Sequence, residues 1–245
     1  MPNGIGRVLF NDYFGQGHQV LPGPQAYLVT QQDAGSEIYP HFHDVDQFQI
    51  FLAGNGRIGT HSLQPISAHY VDGYSPYGPI VAGPNGLSYL VLRLAAARGG
   101  WKMPENRHMI IGGPGRRVTL NFDEFNAIPL DSELVQCSSL WAPSDDGLGM
   151  SSIHMGPNST YSNDITSNSQ YILVTAGTAR LHNVLLPPKS LIFLEPGEPE
   201  LTLNSTNEGA VLLVLTFPLP SERPGSDPER LGEHAAPYIM PATED

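Results

Sequence analysis

The sequence predicts an all-β fold, and three observations carry that expectation. No stretch of twelve or more residues places apolar side chains at helical spacing without meeting a Gly or a Pro. Short β-rich runs recur instead, divided by turn chemistry. One block of sequence occurs twice. The 26 Gly and 23 Pro in 245 residues make the chain turn-rich, while 40% hydrophobic residues are enough to form a core.

The runs are QAYLVT at 25–30, QFQIFLAG at 47–54, LSYLVLRL at 87–94, QYILVTAG at 170–177, KSLIFL at 189–194 and AVLLVLTF at 210–217. Turn sequences such as AGNG, AGPNG, PPK and STNEG lie between them, and many short strands with frequent turns predict a sandwich or barrel. The repeat appears when Gln47 is set on Gln170. QFQIFLAGNGRI then runs beside QYILVTAGTARL, each with Ala-Gly at the sixth and seventh positions after the Gln. Further on, the sequence pairs Gly78 with Gly197 and Asn85 with Asn204, at a spacing four residues shorter in the second copy. The expected organisation is a first β-domain over 1–97, a linker over 98–129, a second β-domain over 130–217 and a Pro-rich acidic tail over 218–245.

Charge narrows the partners. Twelve Lys and Arg against 24 Asp and Glu give a formal net charge of -12, which speaks against nucleic acid and against anionic lipid. No apolar run is long enough to span a bilayer as a helix, and no basic segment leads into an apolar stretch at the amino terminus. The single cysteine, Cys137, allows no internal disulfide. A cytoplasmic protein working on a small molecule is the expectation.

The densest chemistry lies in PHFHDVDQFQIFLAG, residues 40–54. His41 and His43 are two apart, so on a strand both imidazoles project from one face. With an oxygen donor from the next strand they can converge on one divalent ion, for which Fe, Mn, Ni, Co or Zn suit imidazole-plus-oxygen ligation. His41-x-His43, three residues, Gln47, six residues, Gly54 resembles the first motif of the cupin superfamily, in which a Glu stands where Gln47 is. Pro76-Tyr77-Gly78, Val81 and Asn85 resemble the second motif, in which a His stands where Val81 is.

The resemblance covers about 20–95 and, through the repeat, about 130–217. It implies a bicupin, two tandem jelly-roll barrels, often paired as a homodimer. It also implies a metal held by His41, His43 and Gln47, with His69 a candidate fourth ligand and Fe(II) the favoured ion. Gln47 is a weaker ligand than a carboxylate and cancels none of the metal's charge, and the missing imidazole at Val81 opens a coordination position. In the second copy Asp164 and Thr166 stand where the histidines would be, and the repeat sets Glu200 on Val81, so that barrel reads as degenerate.

Gln49 shares strand parity with Gln47 and should face the same cavity, with Tyr39, Phe51, Arg57, Tyr77, Val81 and Tyr89 as the candidate substrate pocket. Arg57 and Arg93 are candidate anchors for a carboxylate. Asp44 and Asp46 read as solvated turn acids. The expected function is therefore a metal-dependent cupin enzyme on a small, oxygen-chelating, aromatic or polyketide-like molecule, with oxygenase-type chemistry favoured. In it His41, His43, Gln47 and Gln49 form the catalytic set. The alternatives are a metal-free cyclase, isomerase or dehydratase using His41 or His43 as acid–base group, and a non-catalytic ligand-binding bicupin.

Overall fold

The computed structural model describes residues 6–15, 23–122, 134–164 and 166–231. They fall into two units, one made of the described residues up to 122 together with 220–231, the other of the described residues from 134 to 219. The first unit holds β1 (Val8–Phe14), β2 (Gln25–Gln31), β3 (Glu37–Ile38), β4 (His41–Phe42), β5 (Gln47–Ile58), β6 (His61–Leu63), β7 (Ser67–Val71), β8 (Ile80–Arg93), β9 (Trp101–Lys102) and β10 (Arg117–Asn121). The second holds β11 (Val135–Trp141), β12 (Gly149–Met155), β13 (Thr160–Asn163), β14 (Gln170–Leu181), β15 (Val184–Leu186), β16 (Leu191–Leu194) and β17 (Leu201–Thr216). Among the described residues no helix is long and apolar enough to cross a membrane.

In the first unit the sheet runs β1-β2-β8-β5-β7-β10, with β3 on β8 and β6 on β5. The second unit repeats the plan as β11-β12-β17-β14-β15, with β13 on β17 and β16 on β14. All the pairings are antiparallel.

Long strands have to bend to wrap a small core, and here two bulges do it. β5 shifts register against β8 at Phe51/Ala53 and Gly54/Gly56, and β14 does the same against β17 at Val174/Ala176 and Gly177/Ala179. Gly54 and Gly177 both take positive φ, and a Cβ there would collide with the carbonyl oxygens of Gly86 and Gly209 respectively. The Ala-Gly of the repeat is thus the bulge itself. Beyond the bulge each long strand takes a new partner: Gln47–Phe51 pairs with β7, whereas Gly56–Ile58 pairs with β6.

These registers correct the sequence alignment of the second motif. Arg57 faces Val81 in the first unit and Arg180 faces Asn204 in the second. Val81 therefore corresponds to Asn204, not Glu200, and no four-residue difference separates the copies. The Gly78–Gly197 match came from glycines that sit in unrelated turns.

The linker expected at 98–129 is also revised. Its described part belongs to the first unit, where β9 pairs with β4 and β10 closes the sheet against β7; residues 123–129 lie outside the described residues. Likewise the described part of the expected tail from Pro220 onward belongs to the first unit, and residues 232–245 lie outside the described ones.

Inside the first unit, odd-numbered residues of adjacent strands face one interior. Tyr27 and Val29 of β2, Phe51 of β5, Val71 of β7 and Tyr89 and Val91 of β8 share one buried cluster. The second unit buries an aliphatic interior instead, including Ile172, Val174, Leu212 and Val214.

Candidate active site

β4 is two residues long and is held by a ribbon rather than by the main sheet. Phe42 is fully buried and stacks on Trp101 of β9, with ring centroids 5.4 Å apart. Phe42 points away from its neighbours by strand alternation, so His41 and His43 turn to the opposite side. Their rings meet edge to face at 5.1 Å. The backbones of His41 and Tyr77 exchange two hydrogen bonds of 3.1 and 3.0 Å, which ties the HxH segment to the Pro-Tyr-Gly turn. Gly100 makes room for His43, because a Cβ there would lie 3.1 Å from its Cε1.

The hydrogen bonds fix the protons. His41 Nδ1 lies 2.7 Å from the Tyr39 carbonyl oxygen, which can only accept, so Nδ1 carries the hydrogen. Burial, opposed by that bond and reinforced by the Arg93 charge, lowers the His41 pKa to about 4, so the ring is neutral and Nε2 is a lone pair. The Tyr77 hydroxyl donates to that Nε2 at 2.8 Å. His43 repeats the arrangement: its Nδ1 donates to the Gly99 carbonyl oxygen, and burial and then Arg93 hold its pKa well below the usual value.

Gln47 resolves in the same way. Arg93 Nε can only donate, and it lies 3.0 Å from Gln47 Oε1, so the amide oxygen faces the guanidinium. The amide nitrogen then donates to the Tyr77 oxygen at 2.6 Å. Arg93 also donates through Nη1 to Gln25 Oε1 at 2.7 Å. Tyr77 is thus clamped between His41 and Gln47, and burial raises its pKa above that of a free phenol.

This donor set does not fit the expected metal. The His41 lone pair accepts from Tyr77, the Gln47 oxygen accepts from Arg93, and a dication there would sit against a buried guanidinium. His69 comes near, its ring 5.6 Å from that of Tyr77 and its Nε2 without a hydrogen-bond partner among the described residues, but it is absent from the described lining of the cavity that His41 and His43 share. Among the described residues no three His, Cys, Asp or Glu side chains are grouped to hold an ion.

A cavity of about 230 Å³ opens beside the two histidines. Of the expected pocket residues, Tyr39, Tyr77 and Tyr89 line it, together with His41, His43 and Gln49. Three do not. Phe51 packs behind, its ring 5.0 Å from that of Tyr89; Arg57 is exposed and donates to the Gly59 carbonyl oxygen; Val81 pairs with Glu37 and Arg57 at the sheet's far end. Arg57 and Val81 lie beyond the β5 bulge, which carries them away from the site. The lining also includes Tyr27, Arg93 and Lys102. The odd parity of the strands could have found Tyr27 and Arg93, whereas Lys102 arrives through the unexpected β4–β9 ribbon.

Asp44 and Asp46 are not solvated turn acids. Asp44 is fully buried and accepts from the Arg98 side chain at 2.6 Å. Asp46 accepts from Arg223, from the Tyr70 hydroxyl at 2.9 Å and from the Gly73 backbone N–H at 2.8 Å. Arg223 also reaches Asp72, which pairs with Arg116 at 3.1 Å. The turn between His43 and Gln47 is therefore pinned by cations from two later segments, Arg98 and Arg223.

Comparison with solved structures agrees with the two-unit architecture. Oxalate decarboxylase from Bacillus subtilis, whose Mn(II) centres have been studied, matches 90% of this chain and 81% of its own at 10% identity and a TM-score of 0.58. The fold is that of a bicupin. A candidate dioxygenase from Nostoc punctiforme matches 88% of this chain and 83% of its own at 13% identity and a TM-score of 0.59. No family model and no curated protein matches the sequence. At such identities the likeness is one of fold, and the chemistry of this chain has to be argued from its own residues.

Proposed function

We propose that the cavity of the first barrel is the active site of a metal-independent acid–base enzyme acting on a small organic molecule. One observation carries this reading: the Tyr77 hydroxyl occupies the point where His41 Nε2 and the Gln47 side chain converge. That is the point at which the family resemblance would have placed an ion. Arg93, bonded to the Gln47 oxygen, supplies positive charge there without a metal.

In this scheme His43 is the proton acceptor. Its Nδ1–H is committed to Gly99, so the lone pair of Nε2 is left to a substrate beside it in the cavity. His41 and Tyr77 form a fixed neutral pair that orients the wall next to His43. Gln47 and Arg93 set the orientation of Tyr77, and Arg93 stabilises negative charge that develops on substrate oxygen when the proton leaves. Proton abstraction followed by isomerisation, cyclisation or loss of water fits these roles.

The rival reading is a metal-dependent oxygenase, to which the Mn(II) centres of the B. subtilis fold neighbour lend weight. Metal analysis of untagged protein, loaded anaerobically with Fe(II), Mn(II), Ni(II) and Zn(II), separates the two. The expected content is below about a tenth of an equivalent, since His41 Nε2 and Gln47 Oε1 are committed to Tyr77 and Arg93 and an ion would have to displace those bonds beside a buried guanidinium. Close to one equivalent, lost in His41→Ala, would overturn the proposal.

A further inference from the structure

We infer that the first-barrel cavity takes a ring-sized organic acid that carries a hydroxyl or other hydrogen-bond donor away from its anionic group. This rests on the cavity being the working site, but not on the acid–base roles given above. Charge is the first argument. In a protein of net charge -12, the described residues lining the cavity include two cations, Arg93 and Lys102, and no Asp or Glu. Arg93 donates its Nε and Nη1 to Gln47 and Gln25, so what it offers an anionic ligand is a fixed positive charge at the wall, joined by that of Lys102.

Gln49 supplies the second, independent argument. It is 2% exposed, it lines the same cavity, and among the described residues its Oε1 has no hydrogen-bond partner. A buried carbonyl oxygen without a donor costs about 1–3 kcal/mol, so the site is built for a ligand that brings a donor to it.

The geometry relates the two groups. Gln49 lies opposite Val91, and Arg93 is two residues farther along β8 on the same face, which makes Gln49 and Arg93 diagonal cross-strand neighbours. Such neighbours stand about 7–8 Å apart at the backbone, so both groups open on one patch of the cavity wall. The wall between and around them is apolar or aromatic, with Tyr27, Val29, Tyr89 and Val91. The cavity's 230 Å³ is below the roughly 300 Å³ at which sites for drug-sized ligands begin, so a single ring fits better than a fused system.

The test is calorimetric titration of chelator-treated full-length protein with the three isomers of hydroxybenzoate, with benzoate, and with the hydroxybenzamides as neutral isosteres. At least one hydroxybenzoate is expected to bind, with its amide weaker by about a hundredfold and benzoate weaker by up to about tenfold. Gln49→Leu should abolish the advantage of hydroxybenzoate over benzoate while leaving benzoate binding intact. Arg93→Met should erase the preference for acid over amide. Because Arg93 is buried, the exposed Lys102→Met serves as a second variant, and it should weaken every acid several-fold and no amide. Equal binding of acids and amides would overturn the proposal, as would no binding of any isomer at about 10 mM or an unchanged hydroxyl preference in Gln49→Leu. Since the protein is metal-free throughout, a metal found in native preparations would refute the acid–base reading without touching this result.

Discussion

Replacing Tyr77 by Phe removes one oxygen and leaves the ring's packing in place, so its cost reads the hydrogen-bond clamp directly. The hydroxyl serves two groups. Gln47 Nε2 lies in a fully buried side chain, and losing its acceptor there costs toward the upper part of the usual 1–3 kcal/mol for an orphaned buried polar atom. His41 Nε2 borders the cavity and can be rehydrated, so its loss costs toward the lower part. Together the substitution should destabilise the first unit by about 3 kcal/mol. Urea unfolding followed by Trp101 fluorescence, with Trp141 replaced by Phe, reports on that unit. Tyr89→Phe is the control, because the Tyr89 hydroxyl has no hydrogen-bond partner among the described residues and its loss should cost less than about 0.5 kcal/mol. A Tyr77→Phe cost no larger than that of Tyr89→Phe would mean that the hydroxyl does not join His41 to Gln47.

Three further perturbations test other parts of the fold. The folded protein holds His41 and His69 at pKa values of about 4 and about 3, both by burial, against about 6.5 when unfolded. The unfolded chain therefore binds more protons below pH 6.5, and stability should be full above that value and fall steadily toward pH 4, by roughly 3 kcal/mol for each imidazole and about 6 kcal/mol for the two together. Urea midpoints across that range measure it, and a flat profile would contradict neutral buried imidazoles. Arg223→Ala strands the Asp46 carboxylate, 5% exposed, and should cost about 3 kcal/mol, with Asp46→Asn recovering part of the loss in a double-mutant cycle. Gly54→Ala and Gly177→Ala should each destabilise their own unit by more than about 2 kcal/mol, because the new methyl meets backbone rather than a yielding side chain. A neutral result at either glycine in thermal unfolding would remove the bulge argument.

The residues that could be read from sequence are those whose role is local. Ala53-Gly54 and Ala176-Gly177 stand out because a bulged strand that presses on a neighbouring carbonyl tolerates only glycine, so the same pair survives in both copies. The His41/His43 spacing was informative for the same reason, since strand parity is a property of adjacent residues. What failed was decided at a distance. Whether Gln47 offers oxygen or nitrogen depends on Arg93, 46 residues away. Asp44 and Asp46 read as solvated because their cations come from Arg98 and Arg223, and β4 finds its partner β9 across the whole first sheet. The second-motif alignment failed because glycine and asparagine recur in many turns, so two coincidences of identity outweighed the register that hydrogen bonding imposes.

The ion pair between Asp46 and Arg223 spans 177 residues of chain. On a ribosome adding about 5–20 residues per second, the acidic turn beside His43 waits roughly 9 to 35 s for its cation. The whole second barrel is synthesised in that interval. The first barrel, although translated first, is thus completed last, and the turn beside its two histidines is locked only after the second barrel has had time to fold.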